Sequence, residues 1–233
     1  MQDIKLNLPR LKGKIIAIDG PAGSGKSTTA RMLADRLGYV YLDTGAMYRA
    51  LTYFALKSDI SPSDGTKLAT VAEKVPIEFE THQDVNKVFI NGEDVTAQIR
   101  TPHVTRNVSE VSAHKEVRQA MVVKQRDMGK KGSIVAEGRD TSTVVFPNAD
   151  VKIYLSASVR ERASRRLLDL TKMGVSTTLE EQEAEIKRRD ELDSNRQHSP
   201  LKKAPGAFTV DTTDMTIEGQ VEFIISLIRR VLK

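Results

Sequence analysis

The chain has 233 residues, 39% hydrophobic and 29% charged, with a formal charge of +5 and no cysteine. That length holds one α/β core with a small insertion, or at most two domains, and that composition excludes wholesale disorder. Without cysteine there is no disulfide, no thiolate nucleophile and no zinc–thiolate site.

Residues 1–13, with Pro9 and Gly13, read as a polar, loosely ordered leader without the apolar core of an export signal, so a cytoplasmic protein is expected. An apolar run, Ile15-Ile16-Ala17-Ile18, leads into Gly20-Pro21-Ala22-Gly23-Ser24-Gly25-Lys26-Ser27, which matches the phosphate-binding loop pattern of a glycine, four free positions and Gly-Lys-Ser. Gly20 to Thr28 are therefore expected to hold the phosphates of a nucleoside triphosphate. Backbone N–H groups and a helix N-terminus would face the anion, Lys26 would reach the β- and γ-phosphates, and Ser27 would ligate Mg²⁺. A helix follows to about Leu37, ended by Gly38.

Tyr39-Val40-Tyr41-Leu42 reads as a second strand, and Ala46 to Lys57 as a helix opened by Asp43-Thr44-Gly45. Asp43 or Thr44 caps that helix on the plain reading; the same helix start also suits a second anion, with Arg49 about a turn along. After the turn-rich Ser58–Gly65 the texture changes. Residues 66–100 read as a small, mostly antiparallel insertion: a short helix to Val75, strands at Ile77–Glu80 and Lys87–Ile90, a polar turn from His82 to Asn86, and an Asn91-Gly92 hairpin before Val95. His82 and His103 fall in polar loop sequence and receive no role.

Pro102 is expected to end that segment, with helical spacing resuming from Val108 to Met128 and a break near Ala113. Ser133–Ala136 is a buried-type strand ending in Glu137-Gly138-Arg139-Asp140, and Val151–Leu155 is another. A basic helix capped by Ser156 or Ser158 runs to about Leu170. After Lys172-Met173-Gly174, a capping box of Thr178 and Glu181 opens a polar helix to about Ser194. A last strand, Phe208–Val210, and an amphipathic helix, Thr216–Val231, complete the chain. Strands alternating with helices imply a doubly wound α/β fold of about five parallel strands, with ligands beyond the strands' carboxyl ends, where Gly20, Asp43, Glu137 and Asp211 fall.

Basic charge also suits nucleic acid, but aromatics are only 5% and the arginines gather in the second half near glycine loops. No apolar run approaches the ~20 residues of a membrane span. Neither a nucleic-acid nor a membrane partner is expected. Arg162 and Arg166 share one face of a predicted helix, as do Arg189, Asp193 and Arg196. A lone stripe of this kind is a solvated face; two sets flanking a glycine loop form a helix–loop–helix lid, at about 160–196, suited to charge stabilisation in phosphoryl transfer. An Arg139–Asp140 ion pair is the structural alternative to ligand contact at the 138–140 cluster.

Four motifs together carry a resemblance. Ile18–Ser27, Leu42-Asp43-Thr44-Gly45-Ala46-Met47-Tyr48-Arg49, Gly138-Arg139-Asp140 with Val144-Val145-Phe146-Pro147, and Ile186–Asp190 through Asn195-Arg196 resemble the bacterial cytidylate kinases in order and spacing. The resemblance runs from about residue 14 to the C-terminus and implies a P-loop kinase core over 14–65 and 101–233, with the inserted β segment in its monophosphate-binding part. It implies transfer of phosphate from ATP to CMP or dCMP with Mg²⁺, by a monomer. It also implies that Thr44, Arg49, Arg139, Arg189 and Arg196 contact the CMP phosphate or the moving phosphoryl group. Ser109, Arg118 and Asp140 would read cytosine, Asp193 would meet the ribose hydroxyls, and Arg162 and Arg166 would be lid arginines acting in catalysis beside Lys26. Many members carry glycine two residues after that aspartate; this chain has Ser142.

Overall fold

The structure is a computed structural model that describes residues 11–82 and 85–232, without the side chains of 81, 82 and 85. Most of the expected leader thus lies outside the described residues. The chain divides into two compact units, one of residues 11–42 and 129–232 and one of Asp43–Met128.

The first unit is built on a five-stranded sheet ordered β2-β6-β1-β7-β8, with β1 at Ile15–Asp19, β2 at Val40–Asp43, β6 at Ile134–Gly138, β7 at Val151–Ser156 and β8 at Phe208–Asp211. β1 pairs in parallel with both β6 and β7, and β7 with β8. Every residue of β6 and all but the first of β1 are buried, which is why these strands read as continuous apolar runs rather than alternating ones. Helices α1 (Lys26–Leu37) and α8 (Ile217–Val231) pack on this sheet through Leu33, Leu37, Val221, Ile224, Ile225 and Ile228. The α8 positions recur at three- and four-residue steps, so one stripe meets the core. Leu11 is also buried in this core, and Tyr39 Oη donates to its carbonyl. The core therefore begins ahead of the expected boundary at 14, because an apolar side chain three residues upstream has a place to pack.

Helices α6 (Val159–Lys172) and α7 (Leu179–Ser194) belong to the same unit. Ser158 caps α6, and Thr178 with Glu181 forms the expected reciprocal capping box on α7. Arg196, expected to share a helix face with Arg189 and Asp193, lies beyond the end of α7. Asn195 closes that helix, and Arg196 folds back so that its Nε donates to the Asp193 carbonyl at 3.3 Å.

The second unit contains α2 (Thr44–Lys57), α3 (Gly65–Lys74), α4 (Pro102–Val111) and most of α5 (Lys115–Gly129), with a three-stranded antiparallel sheet of β3 (Ile77–His82), β4 (Val85–Ile90) and β5 (Glu93–Asp94). It is wider than the 66–100 segment singled out by its texture. Asn91 and Gly92 both have positive φ, as the tight β4–β5 turn requires. The third strand is Glu93–Asp94, with Val95 just past it donating its N–H to Val88. His82 ends β3 rather than lying in a loop; residues 83 and 84 of the expected polar turn lie outside the described residues. Pro102 opens a helix instead of ending a segment. At the first helical position its missing N–H costs nothing, and Thr101 accepts from Val104 N as the cap. The helical break falls at Ser112–His114, between α4 and α5.

Candidate active site

The strand order reverses at β1, whose neighbours β6 and β7 lead away to opposite edges. In open α/β sheets that reversal opens a crevice at the strand's carboxyl end, and Asp19 and Gly20 stand there. Gly20 cannot carry a side chain, because a β-carbon would collide with the Leu155 carbonyl oxygen of β7. Gly25, in the left-handed region at φ 86°, turns the chain into α1 as its N-cap. These two glycines let the loop hug the sheet edge and then present the first N–H groups of α1.

Lys26 is buried, and its Nζ donates to the Pro21 carbonyl at 2.8 Å, curling over the loop. Burial, then the nearby Arg139 cation, bring its pKa down to about 7; Glu137, Asp19 and Asp193 pull the other way. Ser27 Oγ donates to Glu137 Oε1 at 2.6 Å, and Tyr41 Oη reaches the same oxygen at 3.3 Å. A hydroxyl and a carboxylate so close are hard oxygen donors of the kind Mg²⁺ takes, and Mg²⁺ needs few protein ligands when phosphates and water supply the rest. The residues present fit that ion.

The arginine cluster of this unit centres on Asp193. Arg139 Nε donates to Asp193 Oδ2 at 2.7 Å, and Arg196 approaches Asp193 Oδ1 at 3.9 Å. Burial alone would raise the Asp193 pKa; Arg139, Arg196 and Arg189 outweigh it and hold the carboxyl below its ordinary value. Arg139 thus pairs with Asp193 of α7. Arg162, 4% exposed, is a clamp: it forks onto both Asp190 oxygens at 3.0 and 2.6 Å, and also donates to the carbonyls of Ala22 and Ala157. It ties α6 to α7 and to the phosphate loop. Arg166 lies one turn on, half-buried.

In the second unit, Asp43 caps α2 by accepting from Ala46 N at 2.7 Å and holds Arg49 at 3.0 Å, with Thr44 buried at the helix start. Arg118 on α5 is buried, donating to the Ser112 carbonyl at 2.9 Å and lying 5.2 Å from the centre of the Tyr48 ring. Ser109 is half-buried on α4. Asp140, with the Arg139–Asp193–Arg196 cluster and Arg189, belongs to the first unit.

A scan of family models matches the cytidylate kinase family over residues 16–230. The chain belongs to the cytidylate kinase family. A cytidylate kinase of Bacillus cytotoxicus is 50% identical over 218 residues, covering 94% of this chain and 97% of its own. One of Bacillus cereus is 50% identical over 216 residues, covering 93% and 96%. Among solved structures, an uncharacterised protein from Eubacterium ventriosum superposes with a TM-score of 0.52 at 14% identity, covering 94% and 99%, a likeness of fold alone.

Beyond the family motifs, several residues around the loop escaped the sequence reading. Thr212, fully buried after β8, donates its hydroxyl to the Ser24 and Ser156 carbonyls, and Arg165 donates to Thr212. Thr29 of α1 donates to Gln220 of α8 at 2.7 Å. The signal for Thr212 was its place just past a strand's carboxyl end. Arg165 and Gln220 had none, since each depends on which helix packs beside the loop.

Proposed function

We propose that this protein transfers the γ-phosphoryl group of ATP to the phosphate of CMP or dCMP, giving ADP and CDP or dCDP. The observation that carries the reading is Lys26 curled over a phosphate loop at the sheet's reversal point, beside the Arg139–Asp193–Arg196 cluster. Residues 20–28 hold the triphosphate, with Lys26 regaining full charge as phosphates replace the Pro21 carbonyl. Ser27 and Glu137 would hold Mg²⁺, which when bound neutralises charge on the phosphate oxygens.

A phosphate oxygen of the acceptor forms the new P–O bond as the bond from the γ-phosphorus to its bridging oxygen breaks, and that oxygen's electron pair leaves on ADP. The acceptor is already an anion, so no general base is required. Lys26, Arg139, Arg162, Arg166, Arg189 and Arg196 are assigned to positioning and charge stabilisation, which is most of what this chemistry asks of a protein. Thr44 and Arg49 receive the acceptor phosphate, and Asp193 the ribose hydroxyls. Ser109, Arg118 and Asp140 read the base. A carboxylate accepts from the cytosine amine and repels a uracil carbonyl, leaving a polar group unpaired with the wrong base. The protein is expected to act in the cytoplasm as a monomer; among the described residues no helix is long and apolar enough to cross a membrane.

Coupled ADP release against CMP, dCMP, UMP and AMP tests this reading. CMP and dCMP should lead; turnover of AMP equal to that of CMP would remove the cytosine assignment.

A further inference from the structure

Asp19 ends β1, one residue ahead of the phosphate loop, and is fully buried, yet the phosphoryl-transfer reading gives it no task. Its carboxylate accepts three hydrogen bonds from one short turn. Thr141 N donates to Oδ1 at 2.7 Å, Ser142 N donates to Oδ2 at 2.7 Å, and the Ser142 hydroxyl donates to Oδ2 as well. Residues Thr141–Val145 form a single wide helical turn, and Asp140, at its N-cap position, makes no side-chain cap to it. The Asp140 carbonyl instead accepts from Val144 N at 2.8 Å and sits 3.3 Å from Thr143 N and Val145 N.

An aspartate at an N-cap position ordinarily turns its own carboxylate onto the first N–H groups of the turn. Here a carboxylate from a different strand does so. Two consecutive backbone N–H donors also favour negative charge where they converge. Burial pushes the Asp19 pKa up, and the Ser142 hydroxyl and the two backbone N–H groups oppose that push. Removing a donor therefore weakens the hold of a buried anion on the turn, at the residue that begins it.

We propose that Asp19 and Ser142 are positioning residues for the acceptor: Asp19 caps the 141–145 turn from β1, and the Ser142 hydroxyl is the third donor that sets the aim of Asp140. This rests on the reading of Asp140 as a contact to the acceptor base. It ties the donor's loop and the acceptor's base reader to one buried carboxylate, since Asp19 directly precedes Gly20. Ser142 contributes a hydroxyl that a glycine or alanine at this position would not.

The test compares the wild type with Ser142→Ala, Ser142→Thr and Asp19→Asn in steady-state kinetics and in calorimetric titration with CMP, UMP and ATP. Ser142→Ala should raise the CMP KM and Kd about three- to tenfold and reduce the CMP-over-UMP preference, on the scale of one ordinary hydrogen bond because both backbone donors to Asp19 remain, while the ATP KM stays within about twofold. Ser142→Thr, which keeps the hydroxyl, should restore the CMP values. Asp19→Asn should raise the CMP KM further, because its amide points a donor at donors. If Ser142→Ala changed CMP and ATP equally, or lowered kcat through loss of folded protein with both KM values intact, the assignment would be overturned. So would threonine failing to rescue. Because Ser142→Ala is a small change at the edge of the turn, the test stands even if Asp19→Asn does not fold. A wild type that binds ATP but neither binds nor phosphorylates CMP overturns the acceptor reading and this assignment with it; a wild type that uses CMP, with Ser142→Ala unchanged, overturns this assignment alone.

Discussion

Burial governs the charge of Lys26. Folded, it titrates near 7, while the unfolded side chain keeps its ordinary 10.5. Between those values the unfolded chain binds more protons, so the cost of burying Lys26 is full below the lower value and is relieved as pH rises toward the upper. Nucleotide phosphates act in the opposite sense, restoring the charged form. ATP binding at about pH 8 should therefore take up a proton, and at about pH 6, where Lys26 is already charged, the uptake should fade. Calorimetric titration in buffers of different ionisation enthalpy reads this directly; no buffer dependence at the higher pH would count against it. Lys26→Ala should cost at least ~3 kcal/mol of transition-state stabilisation in kcat. Lys26 was legible in the sequence because a lysine at that spacing after a glycine loop has one chemical use. Asp19, seven residues earlier, was not: it stood at the end of an apolar run, and its role depends on Thr141 and Ser142, which only the parallel pairing of β1 with β6 brings near.

At the scale of elements, α6 and α7 are held by their caps and by Arg162. The guanidinium of Arg162 is nearly inaccessible and Asp190 is about a quarter exposed, so the pair is more than a surface contact. Arg162→Ala would leave Asp190 and the Ala22 carbonyl without their shared donor. We expect a loss of about 2–4 kcal/mol, toward the lower figure because Asp190 keeps some water, together with a raised ATP KM. Thermal unfolding and ATP kinetics measure the two effects, and a variant unchanged in both would show that the tie does not support the loop. Thr178→Ala removes one half of the capping box and should cost about 1 kcal/mol. The loss should appear as faster amide exchange in the first turn of α7, with little change toward Ser194. The capping box of α7 and the Asn91-Gly92 turn were readable because each is decided within four residues. The placement of Arg196 was not, since where α7 stops depends on the segment after it, in which Leu201 N donates back to the Asp193 carbonyl at 2.8 Å.

For the whole molecule, the alternation of strands and helices was enough to specify the class of fold and the sheet edge that carries the phosphate loop. What alternation left open was the extent of the second unit. Its helices α2, α4 and α5 have ordinary amphipathic patterns, and nothing in such a pattern says which sheet a helix joins. Composition also bears on association. A protein of 25.8 kDa with a formal charge of +5 repels its own copies at low salt. Sedimentation equilibrium should return the mass of a single chain across ionic strength; a stable dimer would contradict the monomer proposed above.

The pairing of Ile15 with Ile134, and of Ile16 with Val151, also sets an order of assembly. β1 precedes both of its partner strands in the chain, so it has none to pair with until β6 has left the ribosome. The strands β3, β4 and β5 meet neighbours within a few residues of themselves, and short-range contacts close fastest. The segment between β2 and β6 can therefore gain structure during synthesis while β1 waits, and the nucleotide loop cannot settle until β6 arrives. In pulse-labelled refolding, protection should appear in Asp43–Met128 before it appears in β1, which makes the phosphate loop, near the start of the chain, among the last parts to be finished.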